Sequence, residues 1–530
     1  MNKKTFKVKT VLAMSLAVGL ATPIFAQDEP KLGGTYEFAV TLGDPDTFDC
    51  HATNSIASLY RLAPSYSTLL EFDPSNYPEI VGDVAEDWSV SDDGLTYTFN
   101  IRKGVMFHNG TELTAKDVVA SYEHLRAPKD GVVSVRQGQF SNIDTITMPD
   151  DYTVVMTMKA ANASMPDIFA GPYNCIYSAD LLESDPDYPA RTVMGTGPFV
   201  FDSYAPGTEY RAKKFDDYFM DGLPRVDEVV MRNMPAPAAV NAMSAGQIPG
   251  IFPSLSQADV DRIAAARGDE VVTYDPIVTT VMFMVTINTQ VAPFDDVRVR
   301  QALNLAIDRR AGSAALSKIA SASGFGTLMR PGSQWARDGE ELDALPGFEP
   351  DIEARREQAR ALLAEAGQSD LSFTFLNWNR YTPLGVFLID QWRQIGVTVD
   401  QEALETAAFF GKTKAGDYVA MLDAIAEPSD DPTLRFGKMV SYSENPSNLA
   451  RIDDPEFDRI YEAQGVELDT DKRIALVQEL EDHMLDMAYA VPLMWSVRPM
   501  VMDAKIKGLL TPYIASNYVG LDNATIWIDE

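Results

Sequence analysis

Cysteine, histidine and basic side chains are all scarce in this chain, and each shortage removes a class of function. Two cysteines, Cys50 and Cys175, cannot build a four-thiolate zinc site. The four histidines, His51, His108, His124 and His483, form neither an H-E-x-x-H motif nor any paired metal-ligand spacing. No G-x-S-x-G nucleophile elbow is present, and Pro198 and Phe199 break the phosphate-loop start at Gly195-Thr196-Gly197. The chain therefore reads as a non-enzyme with no cofactor. Forty-four basic against seventy-seven acidic residues give a net charge of −33. Such a surface repels polyanions and excludes nucleic acid as a partner. The acids are dispersed, which suits a solvated surface in salty water; a cationic ligand is the alternative. There is no short-period repeat and no low-complexity tract.

Long apolar runs are absent apart from Val11 to Leu20. Lys3, Lys4, Lys7 and Lys9 precede that run, and Ala26 follows it at a small-residue cleavage site. Residues 1–26 therefore read as a signal peptide, with the mature protein starting at Gln27 in the periplasm. A membrane anchor needs about 20 apolar residues, and Pro23 and the polar Gln27-Asp28-Glu29 come too soon. In an oxidising compartment Cys50 and Cys175 form either one disulfide or two separate buried thiols. If joined, they close a loop of about 125 residues, a constraint of about 3–5 kcal/mol. The 46% of hydrophobic and 10% of aromatic residues suffice for packed cores, so disorder is not the reading.

Strand and helix signals alternate, as in α/β lobes. Thr35 to Leu42 reads as an opening strand. Trp88 to Arg102 reads as a hairpin turning at Asp92-Asp93-Gly94. Thr114 and Asp117 open a helix in capping-box style. Val154 to Met158 reads as an arm of another hairpin, and Val281 to Asn288 as a strand. A helix from Asp296 to about Arg310 carries Val299, Leu303, Ala306 and Ile307 at helical spacing. Another helix starts at Ile352 and stops at Gly367. Leu371 to Leu376, Leu384 to Ile395 and Val397 to Val399 form a βαβ unit, and Lys472 to Met487 a late helix.

Four stretches in this order resemble the peptide/nickel class of ABC transporter extracytoplasmic solute-binding proteins, family five. They are Ala85 to Phe99 with Ile101 to Val105, Phe107 to Gly110 and Thr114 to Val118; Gly195 to Phe199; Asp296 to Arg309; and Ala359 to Gly367. The resemblance implies an α/β, two-lobed periplasmic binding protein with a hinge and an extra subdomain in lobe one, of type II, cluster C-like. Lobe one would comprise 27–71, 195–285 and 490–530, with the subdomain at 72–194; lobe two would be 286–489. Two strands would cross between lobes, so that closure on a ligand is a hinge motion. The implied function is the substrate-binding component of an ABC importer, a monomer that delivers a peptide or amino-acid-derived solute to the inner-membrane permease. The alternatives are an opine, oligosaccharide or nickel-chelate binder, or an exported hydrolase or chaperone on the same scaffold.

In peptide-binding relatives an aspartate shortly before an Asp-Pro or Glu-Pro pair holds the ligand's amino group. Aligned on Pro432, that position falls at Pro428, so Glu427, Asp430 and Asp431 are the substitutes, with turn formation or helix capping as the competing role. Trp378, Arg380 and Tyr381 follow a strand where such lobes present loops; aromatics with one cation suit a carboxylate-bearing organic ligand. Trp495 and His51 complete the candidate ligand set, the first by resemblance to cleft aromatics and the second from its place after the first strand.

Overall fold

The computed structural model describes residues 29–253 and 255–529; the signal peptide reading at 1–26 lies outside them. In the first lobe a five-stranded sheet runs in the order Ile251–Phe252, Thr35–Val40, Glu228–Asn233, Glu209–Lys214, Phe199–Ala205. Thr35–Val40 is parallel to both of its neighbours. Parallel strands need both faces covered, and the side chains comply: Tyr36, Phe38 and Val40 enter one core while Ala39 enters another.

A subdomain adds a four-stranded antiparallel sheet ordered Ala85–Val90, Thr96–Ile101, Thr153–Met158, Ile143–Asp150. The hairpin turns at Gly94, whose φ of +69° glycine adopts without strain. The helix Ala115–Arg126 closes its capping box through Thr114 and Asp117, and buries Val118, Tyr122 and Leu125 against Phe99, Phe140 and Phe169.

The second lobe holds a six-stranded mixed sheet ordered Ala322–Gly324, Ala490–Asp503, Val271–Ile287, Ala420–Ala426, Ser372–Trp378, Thr398–Leu404. Ser372–Trp378 is parallel to Thr398–Leu404 and to Ala420–Ala426. The expected βαβ unit is present, with the helix Thr382–Arg393 between two of these strands. The single helix expected from Asp296 to Arg310 is two helices, Val297–Leu305 and Arg309–Leu316. The break has a cause: Arg309 is buried, and its guanidinium donates to the carbonyls of Pro492 and Gly347 at 2.8 and 2.7 Å, while Asp308 re-caps the chain at Ala311.

The strand expected over Val281–Asn288 is the end of a 17-residue strand, Val271–Ile287. It pairs antiparallel with Ala490–Asp503 from Val271↔Asp503 to Thr286↔Ala490. One end packs in the first lobe, where Val271 and Val501 meet Val260 and Ile263. The other end enters the core of the second lobe with Phe283, Val285 and Val491. Between them the register slips at Tyr274/Ile277 and Val278/Met282. Pro276, with no N–H to donate, sits in the first slip and interrupts the ladder. These two strands join the lobes.

Candidate ligand cleft

In the second lobe the three parallel strands end side by side at Trp378, Leu404 and Ala426. In the first lobe the parallel strands end at Val40, Asn233 and Phe252. Ligands of α/β sheets bind beyond such carboxyl ends, where the loops offer backbone and side-chain groups unused by the ladder. The loop after Val40 is held rigidly. Asp44 accepts from Gly207 N–H and Asn233 Nδ2, Asp46 accepts from Thr53 and Ser58, and Arg61 donates to the Gly43 carbonyl.

The strand ends of the second lobe carry an aromatic shelf. Trp378 stacks with Phe409 at a centroid distance of 6.3 Å and meets Phe410 and Tyr381 edge-on at 5.5 and 5.4 Å. Trp378 Nε1 donates to Thr406 Oγ1, and Asn379 Nδ2 donates to Glu405, so two strand-end loops are stitched together. Phe410 remains 52% exposed. The guanidinium of Arg380 lies 5.8 Å from the ring centroids of both Trp378 and Tyr381, a cation–π placement. Arg380 is exposed, and among the described residues no carboxylate lies within ion-pair distance of it. Tyr381 packs on Phe283, and burial pushes its hydroxyl pKa up. Phe409 and Phe410 were not picked out from the sequence, although two adjacent phenylalanines just after a strand end are a readable signal.

The three candidate acids are all paired. Asp430 takes a bidentate contact from Arg330 at 2.8 and 2.7 Å. Asp431 accepts from Arg473 at 2.9 Å, from Ser164 of the subdomain at 2.7 Å, and from Thr433 N–H as the cap of Pro432–Phe436. Both aspartates are buried. Asp167 of the subdomain approaches the same cluster, and its carboxyl is pushed up to about 7 by burial and then by the charge of Asp431. Glu427 differs: its partner at 2.7 Å is Lys438, which keeps 47% of its side chain exposed. Next to Glu427, the Pro428 carbonyl accepts from Ser516 of the C-terminal tail at 2.8 Å.

Two other candidates are buried. His51 is fully buried; its Nδ1 is 2.8 Å from His124 Nδ1 and its Nε2 is 3.0 Å from the Cys175 carbonyl. One ring must donate and the other accept at the Nδ1 contact, so both nitrogens of His51 are occupied within the protein. Burial, and then the charge of His124, hold its pKa well below the usual value. This geometry gives His51 a packing and hydrogen-bonding role inside the protein. Trp495 is likewise a core residue, 1% exposed, with its indole N–H donating to the Thr327 carbonyl and Arg435 over its ring at 4.9 Å. Cys50 and Cys175 are joined in a disulfide with Cα atoms 6.1 Å apart. No cluster of three or more His, Cys, Asp or Glu among the described residues is arranged to hold a metal.

Two lobes, each with parallel strand ends and joined by two crossing strands, define a two-lobed solute-binding protein. The chain matches the bacterial extracellular solute-binding proteins, family 5 Middle, over residues 79–446, and it belongs to that family. Heme-binding protein A of Haemophilus influenzae is 28% identical over 478 residues, covering 84% of each chain. A probable di/tripeptide-binding protein 5 of Pseudomonas aeruginosa is 26% identical over 484 residues, covering 86% of this chain and 89% of that one. The solved structure of the ABC transporter-associated periplasmic binding protein DppA from Helicobacter pylori, in complex with the peptide STSA, superposes with a TM-score of 0.78. That match has 24% identity and covers 94% of this chain and 99% of the other.

Proposed function

We propose that this protein is the periplasmic capture component of an ABC importer, exported by a signal peptide that is cleaved before Gln27, and that it carries a short peptide or a similar amino-acid-derived zwitterion to the membrane permease. Family membership supports the transport role, and the relative named for di- and tripeptides supports the ligand class. Among the described residues no helix is long and apolar enough to cross a membrane. The lobes, divided within the crossing strands Val271–Ile287 and Ala490–Asp503 with 72–194 as a subdomain of the first, close by rotation about the irregular stretch of those two strands. A ligand that touches both lobes biases that equilibrium toward the closed state.

The observation that carries the ligand reading is Arg380: an exposed cation fixed over two aromatic rings at a parallel strand end, with no carboxylate among the described residues within ion-pair distance. It receives the ligand's carboxylate. Glu427 receives the amine, because its own partner Lys438 is half exposed and free to swing away, whereas Asp430 and Asp431 are locked in buried pairs. The test is isothermal calorimetry with dipeptides, opines, oligosaccharides and nickel chelates. Dipeptides are expected to bind, and Arg380→Ala to weaken them roughly 10- to 100-fold, the loss of one charge-assisted contact of about 1.5–3 kcal/mol. Binding of neutral sugars alone, or an Arg380→Ala variant of unchanged affinity, overturns the assignment.

A further inference from the structure

Behind the aromatic shelf lies a cavity of about 200 Å³, lined in part by Thr286, Asp423, Lys438, Asn448 and Leu449. Its relation to the shelf follows from strand periodicity. Leu376 pairs with Met421, and alternate residues share a face. Trp378 and Asp423 are each two residues further along, so both project from the same side of the sheet. Leu449 touches the cluster containing Trp378 and Phe409, and it also lines the cavity. Shelf and cavity are therefore contiguous.

Asp423 is out of character for its position. It sits between Met421 and Ile425, both buried and apolar, on a strand opposite Met284. Burial raises its carboxyl pKa, and the nearby Lys438 ammonium draws it back down. Lys438 is itself in contact with Glu427 at 2.7 Å, so one ammonium faces two carboxylates and the cavity is left with an excess negative charge. Thr286, 2% exposed and beside Asp423, turns its hydroxyl to the Asp423 carboxylate in a hydrogen bond that helps keep the acid ionised. A hydroxyl that donates still has lone pairs with which to accept, and this one lines the wall of the cavity. Asn448 offers nothing to a ligand: its amide donates to the Met439 and Val440 carbonyls and its oxygen accepts from Ala450 N–H.

We propose that this cavity is a specificity subsite for a basic side chain of the ligand, in which Asp423 pairs with the terminal ammonium, Thr286 accepts a second hydrogen bond from it, and Leu449 packs on its methylene stem. The volume suits that occupant. A liquid water takes about 30 Å³, so the space equals roughly six or seven waters, enough for an ammonium on a four-carbon stem. The same charges reject acidic side chains, because a carboxylate entering would meet Asp423 before any free donor.

The subsite rests on the reading of the cleft as one for amino-acid-derived ligands, and one experiment separates the two. The full mature chain is titrated with dipeptides of alanine and lysine in both orders, and with the norleucine counterparts, which keep the carbon stem and lack the ammonium. The lysine peptide is expected to bind at least tenfold tighter than its norleucine counterpart. Asp423→Asn is expected to bring the lysine peptide down to the norleucine level and to leave the norleucine peptide within twofold. Thr286→Val, which keeps the shape and removes the hydroxyl, is expected to weaken the lysine peptide alone by two- to fivefold, and it carries the test if Asp423→Asn folds poorly. Equal binding of lysine and norleucine peptides, or equal weakening of both by either substitution, overturns the subsite and leaves the peptide reading standing. Binding of none of the peptides overturns both.

Discussion

In the first lobe, the loop that leaves the strand Thr35–Val40 is tied to the subdomain by Cys50–Cys175, a covalent link across 125 residues. In the second lobe, where no cysteine occurs, segments both near and remote in sequence are held by buried arginines that donate to backbone carbonyls. Arg309 and Arg355 converge on the Gly347 carbonyl at 2.7 and 2.9 Å, and Arg300 binds the carbonyls of Met487 and Phe294, both at 2.9 Å. The comparison bears on mechanism. A disulfide constrains chiefly the unfolded chain, whereas an arginine donating to several carbonyls fixes loops of the folded state that would otherwise bury unpaired acceptors. The second lobe also carries the aromatic shelf, the paired acids and the charged cavity, so it is the lobe in which loop position sets ligand choice.

The largest effect that would break this contrast is expected at Arg309. Replacing it with Met removes the Arg309 donor from the Pro492 carbonyl and the Asn304 amide oxygen, while the Gly347 carbonyl keeps only Arg355. Each of these two buried groups costs about 1–3 kcal/mol when left unpaired, for a total of roughly 2–6 kcal/mol. Burial, and then the neighbouring Arg355, already depress the guanidinium pKa to about 9, so desolvation is the tax that the carbonyl contacts offset. Hydrogen exchange read by peptide should show faster exchange in 300–350 and 488–494, with the first-lobe strands unchanged. Uniform acceleration across both lobes would mean that they do not hold themselves independently.

Next comes the disulfide. The Cys50→Ser, Cys175→Ser double variant is expected to lose about 2–5 kcal/mol, with faster exchange confined to 49–66 and 170–195. Ligand affinity should change little, because neither sulfur lies at the second lobe's strand ends. A variant as stable as the native chain would remove the covalent half of the comparison.

What could be read from sequence follows the same division between local and remote. The capping box at Thr114 and Asp117, the Gly94 turn and the βαβ unit are local patterns, and the structure shows each. The break between Leu305 and Arg309 was not readable, because it depends on carbonyls 38 and 183 residues away. The candidate site divides likewise. Trp378, Arg380 and Tyr381 could be named because they follow a strand. Nothing local announces that Arg330 lies against Asp430, 100 residues on, or Arg473 against Asp431, 42 residues back. His51 and Trp495 look like ligand groups in sequence, and their burial is decided only by the tertiary fold. Asp423 escaped notice because one acid among seventy-seven becomes unusual only once its strand neighbours are seen to be buried.

The smallest expected effect sharpens the contrast by pH. Glu481, on the helix Thr470–Met487 of the second lobe, is fully buried; it accepts from the Thr327 hydroxyl and from Leu328 and Met329 N–H, both at 3.0 Å. Burial outweighs these bonds and raises its carboxyl to about 7, against the 4.5 of an exposed glutamate. A folded-state pKa above the unfolded one means that the native protein binds the proton more tightly. The stability this group contributes is therefore complete below about pH 4.5 and is lost as the pH rises through 7. Glu481→Gln keeps the shape and an acceptor oxygen but does not titrate. It should be more stable than the native chain at pH 8, by something on the order of 1–3 kcal/mol, and the difference should shrink steadily toward pH 4.5. Denaturant melts of both proteins across that range measure the gap directly. A gap that stays constant with pH would mean that Glu481 is ionised throughout, its charge held by the three donors of the Thr327–Met329 loop, and the second lobe would then contain an anchored anion in addition to its anchored cations.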